Sequence, residues 1–215
     1  KAIVVVHVFG NLADMERIMQ IADQYGLKVI EDATEALGSK FTEGKYAGQY
    51  AGTIGDFGAY SFNGNKIITT GGGGALTAKD LNAAKHAKYI STQAKDDVHY
   101  YIHNEVGYNY RMTNLQGALG VAQMEELPEF IERKQKNYSV YRELLQDSKT
   151  GYLLPFREGT ESNKWFYSYV LDRNVVKAEL RDIITELEKE GVQTRAIWGL
   201  IHEQKPYVDC TAFQI

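Results

Sequence analysis

One lysine and one carboxylate stand where they could do chemistry together. Lys66 lies in the run 60–70, which four glycines, residues 71–74, follow at once. Asp32 comes just after the strand-like residues 27–30. A lysine amine can form an imine with an aldehyde and then move protons, and a carboxylate at a strand end can keep a pyridine nitrogen protonated. Pyridoxal phosphate needs both groups, so the pair predicts an enzyme that uses this cofactor.

The elements that would position these groups form a βαβ unit. Residues 2–8 are an apolar run, typical of a strand covered on both faces in a parallel sheet. Asn11 is a candidate helix N-cap with Asp14 three positions on, and Gly26 suits the end of that helix. Because ligands collect at the carboxyl ends of parallel strands, Asp32 is expected at the ligand-binding edge.

The remaining pattern predicts an α/β fold with a mixed, mostly parallel sheet, helices on both faces and a smaller α+β domain. Pro128 is expected to open a separate long helix, because proline is tolerated at a first helical position. The predicted domains are residues 1–127, the later part of a large cofactor-binding domain, and residues 128–215, the small domain with its linking helix. The polar, tyrosine-rich residues 96–110 are interpreted as a loop. The other predicted elements are strands at 53–62, 75–77, 165–171 and 192–198 and helices at 81–89, 113–127, 128–146 and 176–187.

Composition excludes several classes of function. The 215 residues are 44% hydrophobic and 24% charged, as in globular proteins, and a net charge of -4 without a basic block gives no nucleic-acid face. The longest apolar run is too short to span a bilayer, and the single Cys210 excludes a disulfide within the chain. No secretory signal is visible, which favours a cytoplasmic location. His99 and His103 are better interpreted as loop residues that pack or touch substrate than as metal ligands, so no metal is expected.

Several phrases of the sequence resemble, in order, the DegT/DnrJ/EryC1/StrS family of sugar aminotransferases. The resemblance implies the aspartate aminotransferase fold (fold type I), and the ordered set is more specific than any one phrase. The family also has a substantial N-terminal segment, with a phosphate-binding turn and an aromatic residue over the ring, that is expected to be missing here. The matching phrases are residues 6–10, 13–15, 30–38, 55–57, 61–66, 107–114 and 194–198.

The resemblance implies a role in cofactor binding for five residues. Lys66 would be the imine lysine, and Asp32 would be the partner of the pyridine nitrogen. Ser61 would bind the phosphate through its hydroxyl. Glu35 stands where many members have a glutamine that touches the phenolic oxygen. Asn109 matches a phosphate contact made from the neighbouring subunit, which implies a homodimer.

The resemblance also implies substrates. Arg111 would suit the carboxylate of the amino donor, because a guanidinium matches a carboxylate in two hydrogen bonds. Arg195 and His202 could reach the sugar nucleotide, although packing explains them equally well. The sequence around Lys66 is most similar to one branch of the family. Members of that branch move an amino group from glutamate to C4 of a nucleotide-linked 4-keto-6-deoxy sugar for surface glycans. Gly72 stands where many relatives carry a glutamate.

Two alternatives stay open on the sequence. One is a non-catalytic paralogue or fragment that binds the cofactor or a nucleotide, which the expected lack of the N-terminal segment favours. The other is amino transfer to C3 of the sugar, because the residues do not record how the sugar lies in the pocket.

Overall fold

The computed structural model describes residues 1–97 and 99–213. Contacts divide the chain into two units, one of residues 1–146 with 154–167 and one of residues 147–153 with 168–215. The predicted linking helix, residues 128–146, therefore belongs entirely to the first unit. The border between residues 127 and 128 stays a prediction for the domains of the whole protein.

The first unit is built on a sheet, and the described part of the second unit contains a two-stranded antiparallel sheet and the α-helix of residues 180–189. In the first unit the strands pair in the order β1-β2-β4-β5, and β3 pairs with β7; in the second, β6 pairs with β8. The elements are strands β1 (Ala2–Val6), β2 (Lys28–Asp32), β3 (Lys40–Phe41), β4 (Phe57–Ser61), β5 (Gly74–Ala78), β6 (Gly151–Leu153), β7 (Thr160–Glu161) and β8 (Tyr169–Leu171), and helices α1 (Met15–Tyr25), α2 (Leu81–Ser91), α3 (Asn114–Leu145) and α4 (Leu180–Lys189).

The main sheet is mixed and mostly parallel, as the sequence predicted. Strands β1, β2 and β4 run parallel, and β5 is antiparallel to β4. Val5 and Val29 are buried in the core, whereas Val4 and Val6 are 62% and 47% exposed. The expectation that β1 is covered on both faces is therefore wrong for the described chain. Successive side chains of a strand point to opposite faces, and only one face of β1 is covered here.

Helix α1 begins at a different cap from the one predicted. The Asp14 carboxylate accepts a hydrogen bond from the Arg17 N–H at 3.1 Å, so Asp14 is the N-cap. Asn11 instead accepts a hydrogen bond from the Arg157 N–H at 2.9 Å. Gly26 ends the helix in the left-handed conformation with φ 60°, as the sequence predicted.

Helix α3 is continuous, so the prediction that Pro128 opens a helix is wrong. The helix begins after Thr113, which forms a capping box with Gln116, and Pro128 lies in its interior. A proline removes one hydrogen bond of the helix, and tertiary packing can offset that loss. Leu127 and Tyr138, which are both buried, supply such packing on either side of the proline.

The later predicted strands are shorter than expected or absent. In the predicted strand 165–171 only Tyr169–Leu171 pairs as a strand, and residues 192–198 form no strand in the described structure. An alternating pattern marks residues that could pair, but a strand exists only where a partner strand lies alongside. None of the helices in the described part of the chain combines the length and apolarity needed to span a bilayer.

Candidate active site

The carboxyl ends of two parallel strands bring candidate site residues to one edge of the sheet. Asp32 is the last residue of β2 and pairs with Ala59 of β4, whose last residue is Ser61. The Asp32 carboxylate accepts a hydrogen bond from the Thr34 N–H at 3.1 Å. Its backbone carbonyl accepts one from the His7 N–H at 3.1 Å. Both the side chain and the backbone of Asp32 are therefore anchored at this edge.

The Lys66 side chain is shielded from solvent and lies against a carboxylate. It is only 13% exposed, and its Nζ is 3.6 Å from Glu35 Oε1. The same Nζ lies over the Trp165 indole, 4.5 Å from the ring centroid. The Phe9 N–H donates to the other oxygen, Glu35 Oε2, at 2.8 Å. The amine is thus held between an anion and an aromatic face, both of which stabilise a positive charge.

A buried, hydrogen-bonded pair of His7 and Glu31 lies next to Asp32, because Glu31 precedes Asp32 in β2. Glu31 and His7 are both fully buried, with His7 Nε2 3.0 Å from Glu31 Oε2. Glu31 also accepts hydrogen bonds from the N–H groups of Gly52, Ile54 and Gly55. Burial alone would raise the pKa of Glu31, but hydrogen bonds from His7 and the three amides outweigh it and hold the pKa below its ordinary value. A fully bonded carboxylate thus ties the loop before β4 to the end of β2.

The other predicted site residues of the first unit lie elsewhere on the surface or bond locally. The Ser61 hydroxyl accepts a hydrogen bond from the Asn63 N–H at 3.3 Å. Asn109 is exposed and forms an isolated bridge with Thr92. Arg111 is exposed and lines a cavity of about 820 Å³, which Lys66 does not line. A contact of Asn109 across a subunit interface stays a prediction.

Two predicted substrate residues belong to the second unit. Arg195 is exposed, and His202 is partly buried with an Nε2 atom that has no hydrogen-bond partner in the described chain. Their predicted contact with a sugar nucleotide remains untested. In the candidate metal loop, His103 Nδ1 bonds the Gln93 carbonyl at 2.7 Å. No group of three metal-ligating side chains occurs within residues 1–97 and 99–213.

Sequence patterns did not identify the contacts of Asn163 and Trp165 with this site. Trp165 begins the predicted strand 165–171, and Asn163 belongs to none of the predicted elements. Asn163 is fully buried, and its side chain bonds the carbonyls of Glu35 and Leu37 at 2.9 and 3.0 Å. Since about a hundred residues separate Trp165 from Lys66, no local spacing could reveal their contact.

Comparison with solved structures defines the class of protein. The fold is that of the sugar aminotransferases. DesI, crystallised in the presence of its TDP-sugar product, matches with a TM-score of 0.88 at 26% identity, over 100% of this chain and 53% of that one. The aminotransferase TlmJ from Streptoalloteichus hindustanus matches with a TM-score of 0.86 at 26% identity, over 96% of this chain and 55% of that one. These matches confirm the predicted fold class.

The chain belongs to the DegT/DnrJ/EryC1/StrS aminotransferase family, whose profile matches residues 1–213. EpsN of Bacillus subtilis (strain 168) is 37% identical over 99% of this chain and 53% of its own length. A GDP-perosamine synthase of Caulobacter vibrioides is 35% identical over 96% of this chain and 54% of its own length. The chain thus spans about half the length of the curated relatives it matches.

Proposed function

We propose that the protein is a pyridoxal phosphate-dependent aminotransferase that acts on a nucleotide-linked ketosugar. The observation that carries the proposal is the position of the Lys66 amine, shielded from solvent between Glu35 and Trp165. Asp32 is the last residue of β2, which pairs with β4, and β4 leads into the segment that contains Lys66. The relatives support the same function, since EpsN is named as a pyridoxal phosphate-dependent aminotransferase and others are named GDP-perosamine synthase.

The residues present fit this cofactor. The amine of Lys66 is close to an acidic partner and protected from bulk water, the setting in which an imine to an aldehyde persists. The Asp32 carboxylate accepts a hydrogen bond from the Thr34 N–H through Oδ1, and its second oxygen could accept one from a protonated ring nitrogen. When bound, pyridoxal phosphate supplies the aldehyde and a ring that delocalises electrons.

Each residue would then have a defined task. Lys66 would hold the cofactor covalently through Nζ and, once released, would take up at Nζ a proton from the α-carbon of the amino donor. Asp32 would accept a hydrogen bond from the protonated ring nitrogen, and Glu35 would orient the nitrogen of Lys66. Ser61, and Asn109 of a second subunit, bind the phosphate. Arg111 binds the carboxylate of the donor, and Arg195 and His202 bind the sugar nucleotide.

The amino donor and the acceptor carbon are assigned from the sequence around Lys66. We propose glutamate as the amino donor and C4 of a 4-keto-6-deoxy sugar as the acceptor carbon, in the synthesis of a surface glycan. The relatives named GDP-perosamine synthase support a nucleotide-linked sugar as the substrate. The assembly would be a homodimer in the cytoplasm that needs no metal.

The test compares Lys66→Ala with Lys28→Ala in the full-length protein. Lys28 is the matched control because its side chain is 74% exposed. Wild type and Lys28→Ala should be yellow with pyridoxal phosphate, and borohydride should fix the cofactor on the peptide that contains residue 66. Lys66→Ala should keep its fold and lose both the covalent adduct and amino transfer. Amino transfer by Lys66→Ala would refute the proposal.

A second assay identifies the substrates. Nitrogen-15 glutamate is incubated with UDP-, GDP- and dTDP-linked 4-ketosugars, and the products are analysed by mass spectrometry and NMR. Label at C4 is expected. Label at C3 would replace the C4 assignment, whereas a colourless protein that is inert with every sugar would favour a non-catalytic paralogue.

A further inference from the structure

The segment Asn163–Lys164–Trp165, here called the strap, connects the two halves of the Lys66 site. The Trp165 indole N–H donates to the carbonyl of Asn65, the residue before Lys66, at 2.8 Å. The Asn163 side-chain amide donates to the carbonyl of Glu35 at 2.9 Å. The strap therefore bonds the backbone on the lysine side of the site and on the carboxylate side.

The strap is itself rigidly held. Asn163 and Trp165 are 0% and 2% exposed. The Trp165 N–H donates to the Asn163 side-chain oxygen at 2.9 Å, and the Asn163 N–H donates to the Ser39 hydroxyl at 2.9 Å. The Trp165 carbonyl accepts a hydrogen bond from Lys134 at 3.2 Å. Because these buried groups bond one another, the indole has little freedom to move away from the amine.

We propose that Trp165 is a positioning residue for the amine of Lys66. Its indole face attracts the ammonium, which lies 4.5 Å from the ring centroid, and its N–H fixes the adjoining backbone at Asn65. Ring and hydrogen bond together keep the amine beside Glu35 and away from water. The position of the amine follows from these contacts alone. A role of that position in catalysis rests on the proposed function.

The first experiment measures the accessibility of the amine in the cofactor-free full-length protein. A limiting amount of N-hydroxysuccinimide acetate labels the lysines, and mass spectrometry gives the ratio of acetylation at Lys66 to that at the exposed Lys28. Trp165→Leu should raise this ratio about fivefold, the factor equivalent to roughly 1 kcal/mol of lost cation–π attraction. Trp165→Phe keeps a ring under the ammonium and should largely restore the low ratio.

Phe166→Leu is the matched control. Phe166 stacks on Trp165 with ring centroids 3.9 Å apart and is 42% exposed. Its loss removes aromatic packing from the strap but leaves the indole under the amine, so the ratio should stay near that of wild type. An unchanged ratio in Trp165→Leu, or an equal rise in Phe166→Leu, would overturn the proposal. If Trp165→Leu does not fold, loss of protection in Trp165→Phe would overturn it instead.

The second experiment separates this proposal from the proposed function. In a Trp198→Phe background Trp165 is the remaining tryptophan. Binding of pyridoxal phosphate to Lys66 should almost abolish its fluorescence, because the chromophore then lies close to the indole. If Lys66 is protected from acetylation in the cofactor-free protein, but pyridoxal phosphate forms no adduct and quenches no fluorescence, the cofactor is refuted and the positioning role stands. Adduct formation on Lys66 without quenching would overturn the positioning role. In turnover, Trp165→Leu should lower kcat while the KM for the sugar nucleotide stays unchanged.

Discussion

Replacing Glu31 by glutamine should destabilise the fold far more than so small a change suggests. Both oxygens of the buried carboxylate act as acceptors in the native structure. Oε1 accepts from the N–H groups of Ile54 and Gly55 at 2.6 and 2.5 Å. Oε2 accepts from the Gly52 N–H at 2.9 Å and lies 3.0 Å from His7 Nε2. A glutamine has only one oxygen to offer to these four groups.

The hydrogen bonds of His7 show that its Nε2 must donate to residue 31, which an amide NH₂ group cannot accept. The Ala13 N–H donates to His7 Nδ1 at 3.1 Å, so Nδ1 carries no proton and Nε2 is the donor to Glu31. In Glu31→Gln the side-chain NH₂ would therefore face two donors, whichever way the amide is turned. Each buried donor left without an acceptor costs about 1–3 kcal/mol, which gives roughly 2–6 kcal/mol in total.

The assay is urea unfolding followed by fluorescence in the Trp198→Phe background, so that Trp165 reports on the first unit. The pKa of Glu31 is lower in the folded protein than its ordinary value of 4.5, so the folded state favours the ionised form. The stabilisation is fully present above pH 4.5 and is lost as the pH falls through the folded pKa. The difference between wild type and Glu31→Gln should therefore be constant near pH 7 and shrink below pH 4.5.

Glu161→Gln is the control for removal of a charge at the surface. Glu161 pairs with Lys40 at 2.9 Å, and the two side chains are 44% and 34% exposed. This substitution should cost below about 1 kcal/mol, because exposed ion pairs contribute little. A cost for Glu31→Gln no larger than that of Glu161→Gln would refute the reasoning about buried acceptors.

Two further predictions concern the strap. Gly10→Ala should lower the melting temperature and expose Asn163, because an added Cβ would lie 2.1 Å from the Asn163 side-chain oxygen and Gly10 has a φ of 79°. The control is Gly64→Ala, where an added Cβ meets nothing within 4 Å. Equal melting temperatures of the two variants in thermal unfolding would contradict the prediction. Lys164 lies over the Phe156 ring, and burial lowers its pKa from 10.5 to about 8. Between pH 8 and 10.5 the unfolded state therefore binds more protons at Lys164 than the folded state does. The free energy of unfolding of the wild type should rise over this pH range more steeply than that of Lys164→Met. The same pH dependence in the two proteins, measured by urea unfolding, would exclude this effect.

Local patterns were sufficient to predict the elements that repeat regularly. The apolar run, the helix with Gly26 at its end and the acid that follows the second apolar segment predicted a βαβ unit with Asp32 at the carboxyl end of a strand, and the structure has that unit. The predicted helix 81–89 corresponds to α2, which begins at the same residue and extends two residues further, to Ser91. These features depend on neighbours in sequence, so the sequence alone could predict them.

Element boundaries were less predictable wherever a side chain had two possible partners. Both Asn11 and Asp14 could cap a helix, and only the fold gives Asn11 a partner at Arg157. Pro128 is compatible with a helix start and with a helix interior, and the packing around it selected the interior.

By itself, the sequence determined the chemistry that is available: an amine at residue 66, carboxylates at residues 32 and 35, and their order along the chain. Only the tertiary structure decided that the amine lies against Glu35 and the Trp165 indole, because the strap returns to the site from about a hundred residues away. Whether such contacts form depends on the free energy of packing distant segments together, and no local pattern records that quantity.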